Sequence, residues 1–384
     1  MSRNTLVLNA GSSSVKFRMF DASGKKLFGG EIDALGKHAV VKVEVGKRLV
    51  KELKQSVLTH EDAGKIILEL VHAFSFVDAL KYVVHRVVHG GAKYTAPVVV
   101  NARVLQELKQ LISLAPLHQP QSLALITLFM KETDAQQIAC FDTMFHRTMP
   151  QQAQRYALPQ SLVKKYGLIR YGFHGLSHAA LHQTAEKLAQ KKYARMITCQ
   201  LGNGASVCAI RDGKSIDTSM GFTPLEGLPM GTRSGSIDPA ILPFLCKAEK
   251  KTPQQILEIL EKESGFQALA GASDVRIVRA QAERGEKASQ DALDFFAYQV
   301  RKQIGSSVAA LNGIDALVFG GGIVRAPAMR RRILSDLQAL GIRVDVRALE
   351  KEAPVKVSRG NVDVWILETD EQEGMFECTK GIRK

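Results

Sequence analysis

Two glycine-rich segments, about half a chain apart, share one design and constrain the fold more than any other feature. The first, LVLNAGSSSV, occupies residues 6–15, and the second, TCQLGNGASV, occupies residues 198–207. Each joins an apolar run to a turn of Gly, Ser and Asn, and then to a second run that begins with Ser-Val. A polar Gly turn follows each, at 21–25 and at 211–214. One such segment alone is equally typical of an ordinary β-turn, but two of them predict a duplicated fold.

Short β-rich runs alternate with helical patterns along the chain. We predict strands at residues 5–9, 15–20, 40–45, 82–88, 138–141, 196–201 and 316–319. We predict helices at residues 61–74, 102–113, 122–131, 176–191 and 289–311. Mixed strands and helices in this order are typical of the α/β class. No Pro- or Gly-rich linker separates two halves, so we expect the domains to be joined by short hinges.

Length and composition favour a two-domain cytoplasmic protein. The chain has 384 residues, of which 45% are hydrophobic, which suits two ordinary globular domains. Its five cysteines are odd in number and include no Cys-x-x-Cys pair. This pattern favours a reduced, cytoplasmic protein over a disulfide framework or a zinc site. The apolar start is too short for a signal peptide, and no apolar run is long enough for a membrane-spanning helix.

The chain is strongly basic, with a formal net charge of +14. Such a charge can indicate nucleic-acid binding. However, Lys and Arg are spread along the chain, and no RRM, zinc-finger or helix-turn-helix signature accompanies them. We therefore expect a basic surface suited to anionic small molecules, with neither nucleic acid nor a membrane as a partner.

The two Gly-rich turns could hold phosphate groups, because their backbone N–H groups are exposed and no Cβ blocks a close approach. The side chains that would add donors or charge to them are Asn9, Ser12, Ser14, Lys16 and Asn203. The P-loop pattern is absent, and the glycines at 320–322 lack the last glycine of the Rossmann fingerprint. Any nucleotide site is therefore of another type.

A second set of residues stands in apolar or Gly-rich frames, several at the ends of predicted strands. Its members are Arg86, Asp142, His174, Arg233 and Glu371. Polar groups at strand ends of α/β proteins tend to line the ligand crevice. Arginines that neutralise phosphoryl oxygens and carboxylates that hold Mg²⁺ are the parts that phosphoryl transfer needs. Taken singly, each could be an ion pair or a cap, as Asp142 could be for the turn after it, and we interpret His118 and His178 as hydrogen-bonded histidines at helix starts.

The chain resembles the acetate kinase family in a series of motifs that keep the family's order and spacing. They read NAGSSSVKF, HRVVHGG, LAPLHQP, FDTMFH, RYGFHGLSH, QLGNGAS and DTSMGFTPLEGLPMGTRSG. The resemblance runs from residue 4 to about residue 376. It implies an α/β fold of two duplicated actin-like, ribonuclease H-like domains with a nucleotide cleft between them. The first domain would comprise residues 1–144 plus 372–384, and the second, which carries the nucleotide site, residues 145–371.

The resemblance also implies a role for each matching residue. The catalytic residues would be Arg86, Asp142, His174 and Arg233. The residues around acetate would be Arg86 and an apolar pocket of Val88, Leu117, Phe173 and Pro224. Phosphates and nucleotide would bind Asn9, Ser12, Ser14, Lys16, Asn203, Gly204, Gly322 and Ile323. Mg²⁺, for which Mn²⁺ can substitute, would be held by Asn9, Asp142 and Glu371.

The activity that the resemblance implies is reversible, Mg²⁺-dependent transfer of the γ-phosphoryl group of ATP to acetate, by direct in-line displacement, in a homodimer. A full-sized Val88 favours acetate over propionate, although one methylene is worth only about 1–3 kcal/mol. The family's adenosine segment is altered here at Val324, Arg325 and Ala326, which leaves the phosphoryl donor open. The alternatives are a propionate or other short-chain acyl kinase, a kinase with another donor, and a non-catalytic nucleotide-binding regulator.

Overall fold

The computed structural model describes residues 3–46, 48–74, 76, 79–116 and 118–383. The strands are β1 (Asn4–Ala10), β2 (Val15–Phe20), β3 (Lys26–Asp33), β4 (Gly36–Val45), β5 (Arg48–Val57), β6 (Leu80–Val87), β7 (Val98–Val99), β8 (Gln136–Phe141), β9 (Arg195–Leu201), β10 (Ala205–Arg211), β11 (Lys214–Thr218), β12 (Ala316–Gly320), β13 (Val355–Lys356) and β14 (Asp363–Ile366). The α-helices are α1 (His60–Ala73), α2 (Ala102–Gln110), α3 (Gln119–Glu132), α4 (Gln151–Gln154), α5 (Gln160–Tyr166), α6 (Gly175–Ala189), α7 (Ile241–Ala248), α8 (Pro253–Lys262), α9 (Gly265–Ala270), α10 (Val275–Glu283), α11 (Lys287–Leu311), α12 (Pro327–Leu334) and α13 (Glu371–Cys378). Short 3₁₀ turns lie at Leu111–Leu114, Met144–Thr148, Ile323–Arg325, Gln338–Leu340 and Ala348–Glu350.

The predicted strands and helices are confirmed, with shifts at their ends. The predicted strands correspond to β1, β2, β4, β6, β8, β9 and β12, and the predicted helices to α1, α2, α3, α6 and α11. Helix α2 is shorter than predicted, because it gives way to a 3₁₀ turn that ends at Leu114, just before Pro116. Within the described ranges, no helix is both long enough and apolar enough to cross a membrane.

The chain divides into two compact units. Unit 1 comprises Met1–Phe145 and Asp370–Lys384, and unit 2 comprises His146–Thr369. Glu371, which the sequence-based division puts in the second domain, therefore lies in unit 1. Helix α13 is held there by the stacking of Phe376 on Phe20, with ring centroids 4.5 Å apart. The Arg383 guanidinium, beyond the end of α13, donates to Thr5 in β1.

Unit 1 is built on an eight-stranded sheet, counted over the described residues, in the order β5-β4-β3-β2-β1-β6-β8-β7. Strand β1 pairs antiparallel with β2 and parallel with β6, and β6 pairs parallel with β8. Helices α1 and α3 pack on this sheet over a core that includes Phe17, Phe28 and Phe129. Because β1, β6 and β8 run in the same direction, their carboxyl ends meet at one edge of the sheet.

Unit 2 repeats the central part of this arrangement. Its sheet has the order β11-β10-β9-β12-β14-β13 among the described residues. Strand β9 pairs antiparallel with β10 and parallel with β12, and β12 pairs parallel with β14. Each unit therefore contains three antiparallel strands followed by two parallel ones, in the order third, second, first, fourth, fifth. The duplication that the two Gly-rich hairpins predict is thus present in the sheet topology.

Candidate active site

The first group of predicted site residues comes together at the carboxyl edge of the unit 1 sheet. Arg86 is the second-last residue of β6, and Asp142 directly follows β8. The Asp142 N–H donates to the Val87 carbonyl at 3.1 Å, which continues the β6–β8 pairing. Asn9 lies near the end of β1, the strand on the other side of β6. The parallel pairing of three neighbouring strands therefore brings these three side chains together.

Arg86 is anchored by several hydrogen bonds. Its Nε donates to Asp142 Oδ1 at 2.9 Å and its Nη2 donates to Asp142 Oδ2 at 2.5 Å. Its Nη1 donates to Asn9 Oδ1 at 3.2 Å. The Asn9 amide in turn donates to Glu371 Oε2 at 2.6 Å. This bidentate pairing fixes the plane of the guanidinium. Of the two roles open to Asp142, an ion pair or a cap, the structure shows the ion pair.

The Arg86 cation interacts electrostatically with two carboxylates, those of Asp142 and Glu371. Burial acts to lower the pKa of the Arg86 guanidinium, but the Asp142 and Glu371 carboxylates hold that pKa above its ordinary value. Burial raises the pKa of the Asp142 carboxyl, and the Arg86 charge opposes this rise. The side chain of Arg86 is 16% exposed and that of Asp142 is 2% exposed. Arg86 is therefore a fixed, permanently charged cation with an accessible part, suited to binding a carboxylate or phosphoryl oxygen.

The same cluster supplies hard oxygen donors. The Glu371 carboxylate accepts a hydrogen bond from the Asn9 amide, and the Asp142 and Glu371 carboxylates interact electrostatically. In kinases, Mg²⁺ is usually bound by one or two protein carboxylates, and waters and substrate phosphates complete its octahedron. Among the described residues, no group of three or more His, Cys, Asp or Glu side chains could hold a metal on its own. The donor set therefore fits a Mg²⁺ ion that shares its ligands with a bound nucleotide.

The first Gly-rich hairpin connects β1 to β2. The Gly11 N–H donates to the Ser14 carbonyl at 2.8 Å and closes the turn. Ser12 is exposed and Ser14 is half-buried. Lys16 is directly opposite Asn9 in the antiparallel pair, so both side chains lie on one face of the sheet. The Lys16 ammonium lies 3.6 Å from the Glu31 carboxylate and its side chain is 53% exposed, so it would have to leave a weak ion pair in order to bind a phosphate.

The second Gly-rich hairpin, in unit 2, connects β9 to β10 and brings three other predicted residues together. A Cβ built on Gly204 would lie 3.0 Å from His174 Nε2 and 4.0 Å from Arg233 Nη1. A Cβ built on Gly231 would lie 2.4 Å from Asn203 Oδ1. These glycines are therefore required for a close approach, and Asn203, Gly204, His174 and Arg233 form one cluster. The Arg233 Nη1 also donates to the Pro224 carbonyl at 3.5 Å.

His174 has a backbone conformation that residues other than glycine rarely adopt. It precedes helix α6 with φ 58° and ψ 20°, in the left-handed region. This conformation costs an L-residue about 1–2 kcal/mol. Backbone strain of this kind persists only where the surrounding structure holds the residue in place, and it is common at functional sites. In this structure the His174 ring lies against Gly204.

A chain of hydrogen bonds runs from the His174 ring into the interior of unit 2. His174 Nδ1 lies 2.8 Å from Ser206 Oγ. Ser206 Oγ lies 2.9 Å from His178 Nε2, and His178 Nδ1 lies 2.8 Å from Thr198 Oγ1. Ser206, His178 and Thr198 are completely buried. The interpretation of His178 as a hydrogen-bonded histidine at a helix start is confirmed, but its link to His174 was not predicted.

This hydrogen-bond chain constrains the protons on the His174 ring. Burial lowers the pKa of His178 well below its ordinary value, so its ring is neutral, with one donor nitrogen and one acceptor nitrogen. If His178 Nε2 donates to Ser206, the Ser206 hydroxyl is free to donate to His174 Nδ1. The His174 proton is then on Nε2, the nitrogen beside Gly204. In the opposite direction, Ser206 donates to His178, and His174 Nδ1 becomes the donor.

The residues predicted to form the apolar pocket are found in different places. Val88 is 5% exposed and directly follows β6 in unit 1. Phe173 is 1% exposed and Pro224 is half-buried, both in unit 2. Leu117 lies outside the described residues. The pocket as a whole therefore remains a prediction.

The altered adenosine segment follows β12 in unit 2. Gly322 precedes the 3₁₀ turn Ile323–Arg325, and Val324 is 1% exposed. The buried Arg330 guanidinium donates to the carbonyls of Val324 at 2.6 Å and Leu349 at 2.7 Å. An arginine that binds carbonyl groups in this way replaces solvent for several backbone acceptors at once. The buried Arg330 therefore holds the backbone at Val324 in place. This arginine was not identified from the sequence.

The chain also matches known proteins over almost its whole length. Residues 4–376 match the model of the Acetokinase family. The chain is 42% identical to an acetate kinase of Staphylococcus aureus over 97% of this chain and 96% of that protein. Its fold is similar to the crystal structure of Porphyromonas gingivalis acetate kinase, with a TM-score of 0.90 and 34% identity over 100% of both chains. It is also similar to a propionate kinase from Francisella tularensis, with a TM-score of 0.91 and 35% identity over 98% of both chains. The chain therefore belongs to the acetokinase family.

Proposed function

We propose that this chain is an acetate kinase, which transfers the γ-phosphoryl group of ATP to acetate, reversibly and with Mg²⁺. The observation that carries the proposal is Arg86, fixed by both oxygens of Asp142 and linked through Asn9 to Glu371. A cation held in this way can bind a small carboxylate without rearrangement. The buried Val88, two residues further on, offers an apolar contact to the methyl group of such a substrate.

In the proposed reaction, one carboxylate oxygen of acetate attacks the γ-phosphorus of ATP, in line with the oxygen that leads to ADP. A bond forms between acetate oxygen and phosphorus, the bond from phosphorus to the ADP oxygen breaks, and ADP leaves with the electron pair. No covalent phosphoenzyme is needed. Because the transition state of phosphoryl transfer is dominated by charge on the phosphoryl oxygens, the protein contributes mainly positioning and electrostatic stabilisation.

The unit 1 cluster would bind the acceptor and the metal. Arg86 would bind the acetate carboxylate and then the phosphoryl oxygens as their charge develops. Asp142 positions the Arg86 plane, and with Glu371 and Asn9 it would hold Mg²⁺. When bound, this ion would neutralise the charge of the nucleotide phosphates.

The unit 2 cluster would bind the phosphoryl group. Arg233 supplies a second cation beside Gly204, and His174 supplies a neutral donor at Nε2 when the hydrogen-bond chain runs from Thr198 toward His174. We propose this direction, because a donor is what a phosphoryl oxygen requires. Asn203 and the backbone N–H of Gly204 would bind the nucleotide phosphates, as Ser12 and Ser14 would in unit 1.

The nucleotide itself is proposed to rest on Gly322 and Ile323. Arg330 braces the segment that follows them through the Val324 and Arg325 carbonyls. The Arg325 side chain lies 3.5 Å from Glu368 in an exposed pair. Because this charged pair follows the two residues proposed to hold the nucleotide, the identity of the phosphoryl donor needs a direct test.

Trapping of acyl phosphate with hydroxylamine tests the proposal. We expect acetyl hydroxamate from the purified protein with acetate, ATP and Mg²⁺, and less product with propionate and butyrate. Replacing ATP with GTP or pyrophosphate identifies the donor. The similarity to a propionate kinase makes a short-chain acyl kinase the second candidate, and a higher kcat/KM with propionate would favour it. The absence of acyl phosphate with every pair would instead favour a nucleotide-binding regulator.

We further propose that the protein acts in the cytoplasm as a homodimer. The cysteines of this structure are free thiols, which suits a reducing compartment. Sedimentation equilibrium of the purified protein tests the dimer, which would give twice the chain mass of 42.1 kDa. A single species at the chain mass would contradict it.

A further inference from the structure

Two cysteines that are far apart in the sequence have their sulfur atoms side by side in unit 1. The Sγ atoms of Cys140 and Cys378 lie 3.6 Å apart. Cys140 is in β8, which has a strand on each side of it in the sheet, and is completely buried. Cys378 is the last residue of α13 and is exposed. An exposed cysteine residue, whose sulfur also donates to the Met375 carbonyl at 3.3 Å, therefore lies beside a completely buried one.

A cation accompanies this pair. The Arg383 guanidinium interacts electrostatically with both sulfurs. It is held in place by hydrogen bonds to Thr379 Oγ1 at 2.9 Å and to Thr5 Oγ1 at 3.0 Å. The thiolate is the form of cysteine that reacts with oxidants. The exposed Cys378 is therefore the thiol that an oxidant would reach first, with a fixed cation beside it.

The other cysteines do not share this arrangement. Cys199 and Cys208 are on the paired strands β9 and β10, but both are completely buried. Cys199 is opposite Val207, and Cys208 is opposite Thr198. Since neighbouring residues of a strand point to opposite faces, these two thiols face away from each other. Cys246 is half-buried on α7.

We propose that Cys140 and Cys378 are an oxidation site, at which hydrogen peroxide forms a reversible intramolecular disulfide. Cys378 loses its proton and the thiolate attacks one peroxide oxygen, so that an S–O bond forms, the O–O bond breaks, and hydroxide leaves and takes up the Cys378 proton as water. The Cys140 sulfur then attacks the Cys378 sulfur. An S–S bond forms, the S–O bond breaks, and hydroxide leaves and takes up the Cys140 proton as water. Two thiols and one peroxide thus give one disulfide and two waters, and a dithiol reverses the change.

The disulfide would tie the end of α13 to the sheet. The sulfurs must approach from 3.6 Å to about 2.0 Å. Cys140 is fixed within the sheet, between two strands, whereas Cys378 is the last residue of α13, so we expect the helix end to move. Helix α13 begins at Glu371, which accepts a hydrogen bond from Asn9. The disulfide would therefore hold in place the helix that carries the Glu371 carboxylate. We therefore expect oxidation to raise the unfolding midpoint by several degrees, because the crosslink closes a very long loop.

The test uses the full-length protein and peroxide in small molar excess. We expect the intact mass to fall by about 2 Da, as two hydrogens are lost, and a peptide that joins residues 140 and 378 to appear in the digest. The mass and the midpoint should return to their starting values with dithiothreitol. Both readouts are independent of kinase activity, so a failure here is distinct from a failure of the proposed function.

Single variants provide the controls. Cys378→Ser and Cys140→Ser should each abolish the mass loss, whereas Cys246→Ser should leave it unchanged. Circular dichroism of the reduced variants shows that they fold. Addition of one or more oxygens at Cys378 with Cys140 still free would overturn the proposal. A disulfide mapped to another pair, or an unchanged midpoint in the oxidised protein, would do the same.

Discussion

A single methyl group at Gly204 tests the geometry of the second hairpin. The Cβ of Gly204→Ala would lie 3.0 Å from His174 Nε2, 3.1 Å from His174 Cε1 and 4.0 Å from Arg233 Nη1. A relaxed contact between such atoms is about 3.5 Å or more. The His174 ring must therefore retreat by about half an ångström, or keep its position with a methyl carbon over the nitrogen that is proposed to donate.

Either outcome weakens the hydrogen bond that His174 Nε2 is proposed to donate to the phosphoryl group. This hydrogen bond forms only when the phosphoryl group is bound. A misplacement of this size, or the loss of one preorganised donor, lowers kcat by about 10- to 100-fold. The fold should be little affected, because the backbone at Gly204 is not in the left-handed region. We therefore expect a free energy of unfolding within about 1 kcal/mol of the wild type. The measurement is hydroxamate formation at saturating acetate and ATP, with urea unfolding of the same samples.

Gly202→Ala is the matched control in the same turn. Its Cβ would meet only the Gly204 carbonyl oxygen, at an ordinary 3.5 Å. We expect this variant to keep kcat within about twofold, since nothing near His174 has to move. Equal kcat values for the two variants, whether high or low, would refute the placement of His174 beside Gly204.

Three further predictions concern Arg233, the hydrogen-bond chain through Ser206, and the buried His85 of β6. Arg233→Ala should lower kcat by about 10²–10³-fold with an unchanged circular dichroism spectrum, and a near-normal kcat would remove Arg233 from the site. Ser206→Ala should lower the free energy of unfolding by about 1–3 kcal/mol, because the buried ring of His178 loses a partner; urea denaturation that shows no change would contradict the hydrogen-bond chain. Burial lowers the pKa of His85 from 6.5 to about 4, so the stability that this neutral histidine provides is full above pH 6.5 and is lost as the pH falls toward 4. In urea titrations at pH 7 and pH 5, wild type should therefore lose about 2 kcal/mol more than His85→Gln, whose amide can still donate to Gln137, and equal losses would count against this.

The parts of the structure that sequence predicted are those that depend on local chemistry. The turns at 11–14 and 202–204 need Gly and small polar residues whatever surrounds them, and they form hairpins as expected. Arg86 and Asp142 could be placed because they end neighbouring strands. Once β6 and β8 run parallel, these ends meet at one edge of the sheet.

The parts that sequence did not predict depend on packing between distant elements. The chain from His174 to Thr198 joins α6 to β9 and β10, and only the spacing of four between His174 and His178 pointed to it. A buried arginine that binds carbonyl groups, as Arg330 does, has no sequence pattern at all. The hydrogen bond from Arg330 to the Val324 carbonyl was therefore found only in the structure.

The central claim is that a carboxylate oxygen of acetate attacks the phosphorus atom that ATP supplies and remains bonded to it in acetyl phosphate. Acetate labelled with ¹⁸O at both oxygens, incubated with ATP, Mg²⁺ and the wild-type protein, tests it by ³¹P NMR. The proposed reaction leaves one ¹⁸O bonded to phosphorus, so the acetyl phosphate resonance should show the isotope shift of a bridging ¹⁸O, with ADP formed in equal amount. Acetyl phosphate without this shift, or ADP without acetyl phosphate, would contradict the account.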